Sequence, residues 1–287
     1  MRLNGRRSSN NVEDRRGSRT GTIAGIGGIG GLIIAALIAW LSGGNPLDVV
    51  TQGGGLLTGN ETSVSGLSAE KEQEYLDFAK VILAGTEDVW TEEFQKVGLR
   101  YEPPKMVLYT GSVNSGCGNA TSAVGPFYCS ADKTLYIDLS FFEQMEKEMG
   151  AGGDFAYAYV IAHEVGHHVQ NLLGTLSETH NAMARLPEKE ANRVSVRTEL
   201  QADYYAGVWA YHDNRLFNSL EPGDIEEGLN AASRIGDDYL QKQARGYAVP
   251  ETFNHGTSDQ RVRWLKKGAS TGSIRGGDTF SPSYNSL

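Results

Sequence analysis

The apolar positions of this chain follow helical and strand periods in turn, with one unbroken apolar run near the amino end. Gly21–Leu41 is apolar or small throughout, and no charge occurs between Thr20 and Leu47. As a helix the run measures about 30 Å, enough to cross a bilayer. Residues 42–67 follow, rich in Gly, Ser, Thr and Asn with Gly53-Gly54-Gly55, and read as a flexible linker. Ser68 then caps a helix that turns Tyr75, Phe78, Ala79, Ile82 and Leu83 inward, and Trp90, Phe94 and Val97 point to a second helix after Gly85. Pro103-Pro104 ends that region. Lys105–Tyr109 and Thr134–Leu139 have strand character, the latter closing a hairpin after Ser130-Ala131-Asp132-Lys133. A buried helix is expected over about 154–173, with Gly174 as its stop, and another from Pro187. Thr257 and Gln260 have capping-box spacing before Val262, Trp264 and Leu265. Residues 269–287, with Gly272, Ser273, Gly276, Gly277 and Ser283, read as a disordered tail.

The helix over 154–173 carries chemistry. His163 and His167 stand four residues apart, on one face one turn apart, and Glu164 lies between them. Two imidazoles so spaced can bind one metal ion, with the carboxylate beside them as general base for a water molecule. The plainer reading is a core helix with hydrogen-bonded histidines, but these groups are costly to bury unless something satisfies them. His168 points about 100° away and is expected to pack rather than ligate. A catalytic zinc site needs a third protein ligand. The metzincin pattern requires Gly and His where this chain has Gln170 and Leu173, which excludes that class. Glu199 is the better candidate, with Asp203 on the same helix face. One carboxylate can bind zinc while the other accepts a hydrogen bond from a ligand imidazole. Asp203 and His180 stay as alternative third ligands. The competing reading of Glu199 is an exposed acidic face near Arg193 and Arg197.

The remaining roles follow from mechanism. In a zinc peptidase the metal polarises the scissile carbonyl and lowers the pKa of its water to about 7, and Glu164 is expected to carry the water proton to the leaving amine. His255, in the loop before the Thr257-capped helix, is the choice for stabilising the tetrahedral oxyanion. Arg261 is placed to buttress the site through Asp203 or another carboxylate. His180 and His212 have no comparable context. The strand Leu135–Leu139 is either a cleft-lining edge strand for an extended peptide or an ordinary core strand.

Several segments together resemble a known family. AYVIAHEVGHHVQ (158–170), ELQADYYAGVWA (199–210), GPFYC (125–129), LYIDLSFF (135–142) and NHGTSDQRVRWLKKG (254–268) look like the bacterial "Putative neutral zinc metallopeptidase" family. The resemblance covers Ser68 to Gly268 and the membrane-anchored amino end. ELQAD and HGTSDQR are also similar to segments of CAAX-prenyl-protease-like gluzincins. That similarity assigns Glu199 as metal ligand, Asp203 as its supporting carboxylate, and a substrate-facing role to His255. It implies a site and no substrate. The fold class expected is α+β, mostly helical: a zincin-like metallopeptidase domain (68–268) with a small β-sheet, preceded by one transmembrane helix (21–41).

Charge and cysteine usage bear on compartment. Residues 1–20 carry six arginines against Glu13 and Asp14, a net +4, which leaves −13 of the chain's −9 total for the rest. This predicts a basic cytoplasmic tail, a single-pass anchor and an extracytoplasmic domain in the cell membrane. A cleaved signal peptide fits less well, because the segment is long and lacks an A-x-A site. Cys117 and Cys129 lack metal-knuckle or redox spacing and suit a loop stapled by one disulfide, which an oxidising compartment favours over two thiols. The acidic domain disfavours nucleic acid. The expectation is a membrane-anchored zinc metalloendopeptidase holding one Zn²⁺ per chain and acting on a peptide or protein substrate. The alternatives are a zinc-stabilised envelope scaffold without catalysis and a hydrolase of non-peptide amides; manganese or cobalt in place of zinc stays open.

Overall fold

The computed structural model describes residues 1–16 and 67–287. It is mostly helical with a small sheet. The expected linker lies almost wholly outside the described residues and the 21–41 segment entirely so. Among the described residues no helix is long and apolar enough to cross a membrane.

Strands β1 (Val12–Asp14), β2 (Lys105–Tyr109), β5 (Phe127–Cys129) and β6 (Thr134–Asp138) form one sheet in the order β1-β2-β6-β5. β1, β2 and β6 run parallel; β5 pairs antiparallel with β6 through the expected hairpin. A second ribbon joins β3 (Ser112–Ser115) to β4 (Gly118–Thr121). The Cys117–Cys129 disulfide ties that ribbon to β5. β6 is buried along its whole length between β2 and β5. The strand considered for an edge is therefore interior, and the edge beside the cleft belongs to β5.

Eight helices pack around the sheet among the described residues. α1 (Ala69–Lys96) is continuous, not two helices broken after Gly85. A side chain at Gly85 would lie 2.4 Å from Arg6 Nη2 and 2.6 Å from Asp213 Oδ1, so this glycine admits an ion pair instead of ending a helix. α2 (Ser140–Lys147) leads into α3 (Asp154–Leu172), which is buried on nearly every side, as its lack of a polar face requires. α4 (Thr175–Met183) is followed by α5 (Glu188–Phe217), whose start at Pro187 is an N-cap. α6 (Asp224–Arg234), α7 (Asp237–Arg245) and α8 (Ser258–Thr271) complete the set, α8 opening with the capping box of Thr257 and Gln260.

Two terminal segments differ from expectation. Residues 1–16, read as part of a basic cytoplasmic tail, pack on the domain. β1 joins the sheet, Arg6 makes a two-pronged ion pair with buried Asp213 (3.0 and 2.5 Å), and Arg7 meets Asp88 at 2.6 Å. The basic charge is spent on partners within the fold. Residues 269–287, expected disordered, are ordered as well. Arg197 donates to the carbonyls of Thr279, Phe280 (3.1 Å) and Pro282 (2.9 Å), and Leu287 is buried.

Candidate active site

The site forms where α3 crosses α5. The crossing is close because Gly166 faces Ala202: a Cβ at 166 would sit 2.8 Å from the Ala202 carbonyl oxygen and 3.1 Å from its Cα. Gly207, further along α5, meets α8 in the same way: a Cβ there would lie 2.2 Å from Leu265 O. Three residues before Gly166 and one after it, His163 and His167 turn their rings towards Glu199 on α5. His163 Nε2 lies 3.2 Å from Glu199 Oε2 and His167 Nε2 lies 3.4 Å from Oε1. One ligand atom from each of the three residues falls within 4.8 Å of the others.

The far side of each ring is held. His163 Nδ1 is 2.8 Å from Asp203 Oδ1, and His167 Nδ1 is 2.9 Å from Gln170 Oε1. An oxygen acceptor at Nδ1 requires the proton there and leaves Nε2 its lone pair for a metal. Asp203 thus sits behind His163, outside the group of three converging ligand atoms. Arg261 grips that carboxylate in two places, Nε to Oδ2 at 2.9 Å and Nη2 to Oδ1 at 3.0 Å, and also donates to Tyr159 Oη at 3.2 Å. Tyr159 donates in turn to Asp203 Oδ1 at 2.6 Å. Tyr159, Asp203 and Arg261 are all but wholly buried.

Electrostatics follow from this arrangement. Burial works against the charged form of His163, but the Asp203 and Glu199 carboxylates outweigh it and hold its pKa up at about 10. The same contest, won by the imidazoles, keeps Glu199 well below the usual carboxylate range. Burial raises Asp203 as well, and Arg261 and His163 more than reverse it. Glu164, buried and with no hydrogen-bond partner among the described residues, is pushed up by desolvation.

His163, Glu164, His167, Glu199, His255 and Arg261 all line one cleft of about 500 Å³. His255 is held there by Asp237 at the start of α7, which accepts from its backbone N–H at 2.7 Å and lies 3.3 Å from its Nδ1. The disulfide-tied ribbon also lines the cleft, with Cys117, Gly118 and Asn119, as does the β5 edge at Phe127 and Tyr128. His180 reaches the cleft from α4 but stands outside the three-ligand cluster. His168 packs as expected: it lies 2.9 Å from Tyr128 Oη and 2.7 Å from the Glu102 carbonyl, and burial lowers its pKa to about 4. His212 is tied to the Gly272 carbonyl at 2.6 Å, far from this chemistry in role.

Sequence reasoning missed Tyr159, Gln170 and Asp237. The first two carried a signal, since Tyr159 stands four residues before His163 and Gln170 three after His167, on the same helix face. Asp237 carried none.

The residues present fit a zinc ion: two imidazoles and one carboxylate form the nitrogen and oxygen donor set of catalytic zinc, and three protein ligands leave a position for substrate. Comparison with known proteins agrees with the geometry. The chain is 47% identical over 292 residues to the Escherichia coli (strain K12) protein named "Uncharacterized protein YpfJ", covering 99% of this chain and 100% of that protein. It is 47% identical over 191 residues to "Uncharacterized protein Rv2575" of Mycobacterium tuberculosis (strain ATCC 25618 / H37Rv), covering 63% of this chain and 64% of that one. No solved structure matches it. A family model described as "Putative neutral zinc metallopeptidase" matches residues 1–280, and the chain belongs to that family.

Proposed function

We propose that this chain is a zinc metalloendopeptidase with His163, His167 and Glu199 as ligands. The observation that carries the reading is the convergence of their ligand atoms within 4.8 Å beside Glu164, whose carboxylate has no hydrogen-bond partner among the described residues, in a cleft open to substrate. Zinc held there supplies a Lewis acid that polarises a carbonyl and acidifies water. Glu164 receives the proton of the attacking water and delivers it to the leaving amine nitrogen; its raised pKa suits both halves of that transfer. His255 donates to the oxygen of the attacked carbonyl as charge builds on it. Asp203, gripped by Arg261 and Tyr159, keeps His163 in the ligating tautomer. The substrate is a peptide or protein in extended form along the cleft, where the β5 edge offers backbone partners. The paired Cys117 and Cys129 support an oxidising compartment.

The test is cleavage of an unfolded protein by the full chain, with zinc measured by elemental analysis on the same samples. About one zinc per chain, and cleavage that Glu164→Gln lowers by about 10²–10⁴-fold with zinc retained, is the expected result. Cleavage by Glu164→Gln at nearly the wild-type rate, or a wild type that takes up no zinc, refutes it.

A further inference from the structure

Behind His167 the hydrogen bonds do not stop at Gln170. The Gln170 side-chain amide donates to the Thr198 carbonyl at 2.7 Å and to Gln201 Oε1 at 3.0 Å, while its own Oε1 faces His167 Nδ1. Gln201 in turn donates from Nε2 to the Gly277 carbonyl at 2.8 Å. Gln170 is fully buried and Gln201 nearly so. Each link has only one workable direction. Reversing the Gln170 amide would set its oxygen against two other oxygens and its NH₂ against a ring that must then accept. Reversing Gln201 would set oxygen against the Gly277 carbonyl. The ladder therefore begins at a main-chain carbonyl, which can only accept, and ends by demanding a proton on His167 Nδ1.

We infer that Gln170 and Gln201 are positioning residues that fix the ligating tautomer of His167 from the carboxyl-terminal segment, with Gly277 as the anchoring acceptor. This rests on the proposed zinc site. The segment is itself fastened to α5: Arg197 donates to the carbonyls of Phe280 and Pro282, and Thr279 Oγ1 donates back to the Arg197 carbonyl at 2.6 Å. Glu199 and Asp203 ride on the same helix. One polar segment thus braces both the helix that supplies the carboxylate ligand and the imidazole opposite. The His163 side is braced by charge, through Arg261 and Asp203; the His167 side is braced by neutral amides. The neutral ladder orients a ring without adding charge to a site that already holds Glu164 and Glu199.

The test measures zinc dissociation from the full chain by competition with a chromophoric chelator, for wild type, Gln170→Leu, Gln201→Leu and the double variant. Thermal unfolding of the metal-free proteins runs beside it. Loss of a partner behind a ligand histidine weakens metal binding by about 10–100-fold, and Gln170→Leu should fall in that range. Gln201→Leu should weaken binding in the same direction by a smaller factor. The double variant should be no weaker than Gln170→Leu alone, because both cut one ladder. Gln201→Asn, too short to span both partners, should behave as Gln201→Leu, whereas a purely structural role would let it recover. Multiplicative losses in the double variant, or zinc affinity unchanged in Gln201→Leu however its melting shifts, overturn the inference while leaving the zinc site standing. Failure of wild type to bind zinc overturns both.

Discussion

Arg261→Met is the sharpest perturbation of the support behind His163. The guanidinium is 3% exposed and the Asp203 carboxylate 0%. Their two hydrogen bonds measure 2.9 and 3.0 Å. Methionine fills similar volume, so packing changes little, but among the described residues Asp203 keeps only Tyr159 Oη at 2.6 Å and His163 Nδ1 at 2.8 Å as donors. Removing Arg261 leaves the His163 imidazolium to face the buried carboxylate in place of two cations, a loss of up to about 3–5 kcal/mol. For a domain of this size that is a fall in melting temperature of roughly 6–20 °C. The discriminating control adds Asp203→Asn. The amide oxygen still accepts from both donors, and the stranded charge is gone, so the double variant should recover more than half of the loss. The assay is thermal and urea unfolding of the metal-free protein, run as a double-mutant cycle. An Arg261→Met variant within about 1 kcal/mol of wild type would refute the reasoning, as would Asp203→Asn deepening its loss.

Three further outcomes follow from the same geometry. Glu164→Gln should lower turnover by about 10²–10⁴-fold with zinc content unchanged, measured by steady-state cleavage and elemental analysis. In the metal-free protein His163 is held near 10 against an ordinary value of 6.5, so its stabilising contribution is full below pH 6.5 and drains away as pH rises towards 10. Zinc takes the neutral ring, so apparent zinc affinity should climb over that window, by up to about tenfold per pH unit for each proton displaced; flat profiles in both melting and affinity would contradict the assignment. Gly166→Ala places a methyl 2.8 Å from the Ala202 carbonyl oxygen, and prising α3 from α5 should cost about 1–3 kcal/mol and weaken zinc binding. Unchanged melting and affinity would show that the crossing yields freely.

The parts of the site legible in the sequence were those written in short spacings. His163 and His167 at one helical turn, Glu199 and Asp203 at another, and the Thr257–Gln260 box each declare themselves within five residues, and the structure brings these segments together. Cys117 and Cys129 were readable because two cysteines allow one pairing. What escaped was written in long-range partners. Nothing near Arg6 announces Asp213, and nothing in residues 277–282 announces that Gln201 and Arg197 will use their carbonyls. Acceptors on the main chain leave no residue signature, so a polar, glycine-rich segment looks the same whether it is held or loose. Gly85 misled for a related reason. In sequence it reads as a break; in the fold it is the gap through which Arg6 reaches Asp213.

That reach makes the amino end a working part of the body. β1 forms one edge of the sheet, and Arg6 is the cation held against Asp213, which is 0% exposed. Arg16 adds a third fastening, donating to the Glu72 carbonyl at 3.2 Å. A shortened chain beginning at residue 67 would bare the outer edge of β2 and leave Asp213 buried without that cation, so it would forfeit part of its own core.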